Sequence, residues 1–300
     1  MTVADLERAL SRAGTCNDWV TLIARYFELH ELGFGHGTDN SSDEAYWLIR
    51  AQQGWDDAAW ERTPDPALIP DLARLAQRRA TERRPLAYLL GEAWFAGLCF
   101  VVDERVLVPR SPLAELIRRG FAPWCQLRNG DRILDLGTGS GCLAVAAAHY
   151  CPGVVVDAVD ISEDAIEVAR ANVAAHHLSD RVSVMQSDIF TAVEGRYRVI
   201  ISNPPYVPES RLNELPREYA HEPELALAGG PKGLSLVAEI LIQASRYLLA
   251  DGVLIMEVGE AQGVFATEYS RLPVTWLEFE YGGHGAFVLT RDELTGYLAG

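Results

Sequence analysis

The sequence predicts an α/β protein, a doubly wound, mostly parallel sheet ending in an antiparallel hairpin, preceded by a small helical domain. Three observations carry this expectation. From about residue 130 onward, short apolar runs alternate with helical stretches, as in a parallel sheet covered on both faces. The last two strand-like runs, Val274 to Glu280 and Ala286 to Thr290, are separated by Gly282-Gly283, a hairpin signal. Residues 1–85 instead place apolar positions three and four apart, as helices do.

A chain of 300 residues, at roughly 150 per domain, fits two domains. Its 49% hydrophobic and 23% charged residues exclude disordered, collagenous and coiled-coil classes. The net charge of −16 speaks against general attraction to a polyphosphate and for a basic protein partner. Cys16, Cys99, Cys125, Cys142 and Cys151 include no Cys-x-x-Cys pair and no histidine cluster at metal-ligand spacing, so a reducing cytoplasm and no metal are expected. The chain starts on Asp5, Glu7 and Arg8, and no run approaches the ~18 apolar residues of a membrane span. Neither secretion nor a membrane is expected.

In the first domain Trp19, Leu22, Ile23, Tyr26, Phe27 and Leu29 share one helical face. Further helices are expected near Ser42 to Gln53 and Ala67 to Arg83, divided by Thr63-Pro64-Asp65-Pro66. Arg74, Arg78, Arg79, Arg83 and Arg84 form a basic face opposed by Glu82, a solvated surface or a contact patch. Between Tyr88 and Pro109 the runs Trp94-Phe95, Phe100 to Val102 and Val106 to Val108 suggest a hairpin linking the domains. Strands are expected at Ile133 to Leu136, Val154 to Val159, Val182 to Met185, Val199 to Ile201 and Val253 to Val258, with helices over 141–150, 163–176, 233–249 and 260–271.

The first of these strands ends in Asp135-Leu136-Gly137-Thr138-Gly139-Ser140-Gly141 and runs into a helical sequence. Glycines at alternate positions allow a tight turn and close approach of backbone to ligand, at the strand ends where such sheets bind ligands. Position 142 is Cys142, so the six-residue dinucleotide spacing fails, and no Gly-Lys-Ser/Thr ending marks a triphosphate loop. Asp160, followed by Ile161, ends the second strand, where a carboxylate accepts ribose hydroxyls. Asp188-Ile189 follows the third, placed for an adenine amine and ring.

The fourth strand leads into Asn203-Pro204-Pro205-Tyr206. Consecutive prolines stop a strand and stiffen a loop, while the Asn203 side-chain oxygen and the Pro204 carbonyl can offer two acceptors to one NH2 group. An amide nitrogen is a poor nucleophile because its lone pair is delocalised. Binding both hydrogens orients that lone pair, and Tyr206 can pack on the planar group. No nucleophilic cysteine or strong base is required.

These strand-tip acids, the glycine loop and residues 130–290 as a whole resemble the Rossmann-like class I methyltransferases. The resemblance implies S-adenosylmethionine as cofactor. Asp135 and Gly137, Thr138, Gly139, Ser140 and Gly141 would then hold its methionine end, Asp160 and Ile161 its ribose side, and Asp188 and Ile189 its adenine, with Asn203 beside the transferred methyl. Asn203 to Tyr206 occurs with both protein glutamine and DNA adenine acceptors. The helical domain, the linking hairpin and Arg105 to Arg110 resemble protein glutamine methyltransferases of the HemK type over nearly the whole chain.

Release-factor enzymes of that group have Pro-Arg-Pro followed by an acid, Thr and Glu. Here Val108-Pro109-Arg110-Ser111-Pro112-Leu113-Ala114-Glu115 and the later Glu222-Pro223-Glu224-Leu225-Ala226-Leu227 instead resemble the sister group acting on a glutamine of the third large-subunit ribosomal protein. The expected organisation is a helical substrate-recognition domain over 1–85, a linking hairpin over 86–112 and a methyltransferase domain over 113–300. The expected partner is that ribosomal protein, without direct nucleic-acid readout. Release-factor methylation, base methylation and a noncatalytic adenosyl-binding module are the alternatives. Arg110 and Glu115 read either as a domain-linking ion pair or as acceptor-site residues.

Overall fold

The structure, a computed structural model, describes residues 1–53 and 63–299. Its contacts divide the chain into two units, Met1–Glu92 with Leu215–His221, and Ala93–Glu214 with Glu222–Gly300.

The first unit holds α1 (Val3–Leu10), α2 (Cys16–Leu29), α3 (Ser41–Gln53), α4 (Ile69–Glu82) and α5 (Leu86–Leu90). Thr2 and Thr15 open α1 and α2 with capping boxes, each hydroxyl accepting from the backbone N–H three residues on. Leu6, Leu10, Trp19, Ile23, Phe27, Leu48, Ile49 and Leu72 form its interior, where Trp19 Nε1 donates to the Leu10 carbonyl at 2.9 Å.

The basic face expected along α4 does not form. Arg79 is fully buried and donates to Glu44 at 2.6 Å, Glu218 at 3.2 Å and the Gly33 carbonyl at 2.6 Å. Arg83 joins Glu218 at 2.9 Å, and Arg74 and Arg78 pair along the helix with Asp71 and Glu82. The cause is composition at a distance: two buried carboxylates need a cation, so a guanidinium turns inward. Glu218 also accepts from Gly33 N–H, and this buried set is what holds Leu215–His221 within the helical unit.

The second unit opens with β1 (Glu92–Phe95) and β2 (Leu98–Val101), a two-stranded hairpin whose first residue belongs to the helical unit. Three side chains fasten it within its own unit. Asn172 Nδ2 donates to the Val101 and Ser140 carbonyls while its Oδ1 accepts from Val101 N–H, a His176 ring nitrogen meets the Cys99 carbonyl, and Tyr150 donates to the Ala96 carbonyl. Val106 to Val108, expected to extend this hairpin, are not a strand. Their amides serve turns and side chains instead: Val106 N–H donates to Asp103 and Val108 N–H to the Glu222 carboxylate.

The main sheet has seven strands: β3 (Arg132–Leu136), β4 (Val155–Asp160), β5 (Val182–Gln186), β6 (Tyr197–Ser202), β7 (Leu248–Glu257), β8 (Thr275–Trp276) and β9 (Ala286–Thr290), in the order β5-β4-β3-β6-β7-β9-β8. The pairings from β5 through β7 are parallel, and β9 inserts antiparallel between β7 and β8. The expected α/β class with its antiparallel ending is therefore present. The order reverses at β3, so the crevice between the tips of β3 and β6 is a switch point.

Helices α6 (Leu113–Arg118), α7 (Cys142–Tyr150), α8 (Glu163–Ala175), α9 (Ser235–Tyr247), α10 (Gln262–Glu268) and α11 (Arg291–Ala299) accompany it. Leu134, Ile200, Leu254, Val237, Ile240, Leu241, Phe265 and Phe287 belong to one continuous core. The strand expected at Val274 to Glu280 shortens to Thr275–Trp276, and the final helix α11 was not foreseen.

Candidate active site

The loop after β3 turns on Gly137 (φ +69°), Gly139 (φ +54°) and Gly141 (φ +80°), a left-handed conformation that glycine adopts without strain. A Cβ at Gly137 or Gly139 would meet nothing within 4 Å, so their faces stay bare for a ligand, whereas one at Gly141 would press on Ala169 of α8 at 3.2 Å. Two of these glycines thus shape a cradle and the third allows helix packing.

Beneath the loop lies Asp135, fully buried. Its Oδ2 accepts from the Thr138 hydroxyl at 2.6 Å and the Ala144 N–H at 3.2 Å, while its Oδ1 is buried without a partner among the described residues. Burial, opposed by those two donors, pushes the Asp135 carboxyl up to about 7. Asp160 binds the same loop from the tip of β4, accepting from Gly139 N–H and Ser162 N–H at 2.9 Å each. Burial raises its pKa above the ordinary carboxylate range, against the pull of these amides. After β5, the Ser187 hydroxyl donates to the Ile189 carbonyl and accepts from Ala192 N–H, closing a turn with Asp188 exposed. Ile189 takes φ +47° there, a strained value for a β-branched residue and one found where local geometry is overdetermined.

A cavity of about 340 Å³ collects these parts. Gly137, Gly139, Asp160, Ile161, Asp188, Ile189, Asn203 and Pro205 all line it. The structure thus brings part of the predicted cofactor set, together with Asn203 and Pro205 of the acceptor motif, to one space of a size suited to a small ligand. Asp135, Thr138, Ser140, Gly141, Pro204 and Tyr206 are not among the residues that line it. Asn203 Oδ1 is a second buried oxygen with no partner among the described residues. The bare glycines, the strand-tip acids and the unpartnered oxygens of Asp135 and Asn203 fit an adenosyl cofactor carrying an amino group, with an NH2 acceptor beside it.

Sequence reasoning missed what holds the motif. Val207 N–H donates to the Leu227 carbonyl and Gly229 N–H to the Val207 carbonyl, so the chain leaving Tyr206 pairs with residues 227–229. A Cβ on Gly229 would come within 2.7 Å of the Pro205 oxygen, one on Gly233 within 2.2 Å of the Tyr206 oxygen, and one on Gly259 within 2.6 Å of the Tyr206 ring. These three glycines permit the close packing, and the available signal was Ala228-Gly229-Gly230 with Gly233 shortly after. Leu107, Leu225 and Ala226 also line the cavity. The Arg110–Glu115 pair does not form: Arg110 binds Glu222, while Glu115 pairs with Arg119 at 3.0 Å and accepts from Glu280 N–H. A ring nitrogen of His221 meets the Glu82 carbonyl at 3.0 Å, within the helical unit.

Residues 122–217 match the family model described as methyltransferase small domain. Over 286 residues the chain is 43% identical to the ribosomal protein uL3 glutamine methyltransferase of Bordetella pertussis, covering 93% of this chain and 96% of that protein. The chain belongs to the ribosomal protein uL3 glutamine methyltransferase family.

Other members also match over most of both chains. The Neisseria gonorrhoeae protein is 41% identical over 96% of this chain and 98% of its own length, and the Xanthomonas campestris protein 45% identical over 89% and 88%. Among solved structures, the hMettl16 catalytic domain in complex with the MAT2A 3'UTR hairpin 6 superposes with a TM-score of 0.50 at 17% identity, covering 73% of this chain and 81% of that one. At that identity the likeness concerns the methyltransferase fold alone. No helix among the described residues is long and apolar enough to cross a membrane, and none of their His, Cys, Asp and Glu side chains form a group of three or more suited to a metal ion.

Proposed function

We propose that this family member methylates the side-chain amide nitrogen of a glutamine in ribosomal protein uL3, with S-adenosylmethionine as donor. One observation carries the reading: Asn203, with a buried unpartnered oxygen, lines the same cavity as Gly137, Gly139, Asp160 and Asp188. The cofactor supplies an electrophilic methyl on a sulfonium, which keeps the carbon–sulfur electron pair when the methyl departs.

The chain's own residues do the positioning. Gly137 and Gly139 would allow backbone to approach the methionine end, Thr138, Ser140 and Gly141 would complete that turn, and the buried Asp135 Oδ1 would accept from the amino group. Asp160 and Ile161 would hold the ribose, and Asp188 and Ile189 the adenine. Asn203 Oδ1 and the Pro204 carbonyl each accept one N–H of the substrate amide, turning its nitrogen lone pair toward the methyl. They favour the pyramidal nitrogen of the transition state over the planar ground state, which is differential binding used for rate. Pro205 stiffens the loop and Tyr206 flanks the planar amide. The nitrogen sheds its proton to solvent once it carries the methyl, so no strong base is needed.

The helical unit serves substrate recognition in this reading, and the acidic chain suits a basic ribosomal protein. Incubating the enzyme with labelled cofactor and purified uL3, beside a release factor, and mapping the label by mass spectrometry tests it. Label on a uL3 glutamine supports the assignment. Label confined to the release factor, or, in parallel incubations, to naked DNA or ribosomal RNA, refutes it.

A further inference from the structure

Glu257 ends β7 next to the acceptor loop, in no motif that the sequence offers. It is buried, yet both carboxylate oxygens are used. Oε2 accepts from the Ser111 hydroxyl at 2.5 Å and Oε1 accepts from the Tyr206 hydroxyl at 3.2 Å. Two residues further on, Gly259 lies so close to the Tyr206 ring that a Cβ would come within 2.6 Å of it. The hydroxyl end of the ring is therefore held by a carboxylate and packed closely by a glycine backbone. On its other oxygen the same carboxylate holds Ser111, whose hydroxyl also accepts from Leu113 N–H at the start of α6.

A buried carboxylate is costly unless its bonds repay desolvation. Here burial, opposed by the Ser111 and Tyr206 hydroxyls and by the nearby Arg110 charge, lifts the group up to about 7. The sheet gives Glu257 a fixed origin: its residue pairs with Ala286 of β9, and the next amide, Val258 N–H, bonds Gly285. A hydroxyl anchored to such a point has little rotational freedom, whereas the tip of a free tyrosine would swing with the loop.

We propose that Glu257 is a positioning residue for methyl transfer, acting through the Tyr206 hydroxyl to fix the aromatic wall against which the substrate amide lies. The proposal deepens the functional reading above and rests on it. It assigns catalytic value to a hydroxyl that packing alone would not require. It also predicts that the value shows in kcat and not in cofactor binding, because Tyr206 and Glu257 do not line the cavity that holds the cofactor residues.

A double-mutant cycle tests this on the full-length enzyme with uL3 as acceptor. Tyr206→Phe, which removes one oxygen and keeps the ring, is expected to lower kcat about tenfold. Glu257→Ala should cost a similar factor, and the double variant no more than the larger single loss, since both break one link. Cofactor affinity by calorimetry should stay within about twofold in all three, and Glu257→Gln, which keeps an acceptor oxygen, should recover most of the rate lost in Glu257→Ala. Losses that multiply in the double variant overturn the proposal. So does a Tyr206→Phe enzyme with unchanged kcat, a result available even if Glu257→Ala does not fold. Failure of the wild-type enzyme to methylate uL3 would instead strike the functional reading itself.

Discussion

Arg110 grips Glu222 with both arms of its guanidinium, Nη1 to Oε1 and Nη2 to Oε2, each at 2.6 Å. Glu222 Oε1 also accepts from Val108 N–H at 3.0 Å. The two residues are 112 positions apart, and each adjoins a different wall of the cavity: Arg105, Val106 and Leu107 precede one, Pro223, Leu225 and Ala226 follow the other. A planar bidentate bridge fixes orientation as well as distance, which a lysine cannot do.

Arg110→Lys is therefore expected to cost about 1–3 kcal/mol, because the buried Glu222 loses part of its hydrogen bonding. For a chain of this size that lowers Tm by several degrees, at about 2–4 °C per kcal/mol. Cofactor affinity should fall with it as the two walls loosen. Thermal melts and calorimetry check both, and an Arg110→Lys enzyme matching the wild type in both would show that the bridge does not brace the cavity.

Gly139→Ala places a side chain on a residue at φ +54° whose amide donates to Asp160. The strain is about 1–2 kcal/mol, small against the stability of a domain. The added methyl faces the cradle, so cofactor affinity should fall at least about tenfold while the melt shifts only a few degrees. Unchanged affinity would mean that the loop does not touch the cofactor.

Asp135 gives a pH signature. Its pKa is raised by burial to about 7 from an unfolded value of about 3.9, so folding favours its protonated form. The stability this contributes is full below about pH 4 and is lost as pH rises through about 7. Asp135→Asn lacks that titration. Measured without cofactor, the Tm of the variant minus that of the wild type should therefore move in the variant's favour between pH 5 and pH 8. Parallel melting curves across that range would contradict the assigned environment.

Cysteine chemistry should be dispensable. Burial pushes the Cys125 and Cys151 thiols up to about 11 and that of Cys142 up to about 12, far from the thiolate needed for nucleophilic attack. Brief alkylation at pH 7.5 should leave these three unlabelled by mass spectrometry, with methyl transfer retained. Rapid labelling of Cys142 with loss of activity would reverse this view.

Legibility in the sequence followed the range of the interactions. The cavity-lining Gly137, Gly139, Asp160, Asp188 and Asn203 were readable because each follows or ends a short apolar run, and strand tips in a doubly wound sheet face one crevice. The devices bracing them were not readable. Arg79 with Glu218, Arg110 with Glu222 and Ser111 with Glu257 join residues more than 100 positions apart, and no periodicity marks such pairs. Arg79 looked like one of several surface arginines, because only the fold reveals which of them meets buried carboxylates. Val106 to Val108 misled for a related reason: β-branched residues suit a strand, but here they are buried along an irregular segment whose amides bond to Asp103 and Glu222.

The central claim is that Asn203 holds the acceptor amide against the methyl donor, and single-turnover transfer by Asn203→Ala tests it most directly. With enzyme in excess over uL3 and cofactor saturating, the rate should fall at least about a hundredfold, comparable to removing one transition-state hydrogen-bond partner, while cofactor affinity stays within about threefold. A variant that transfers methyl to uL3 at the wild-type rate would contradict the account.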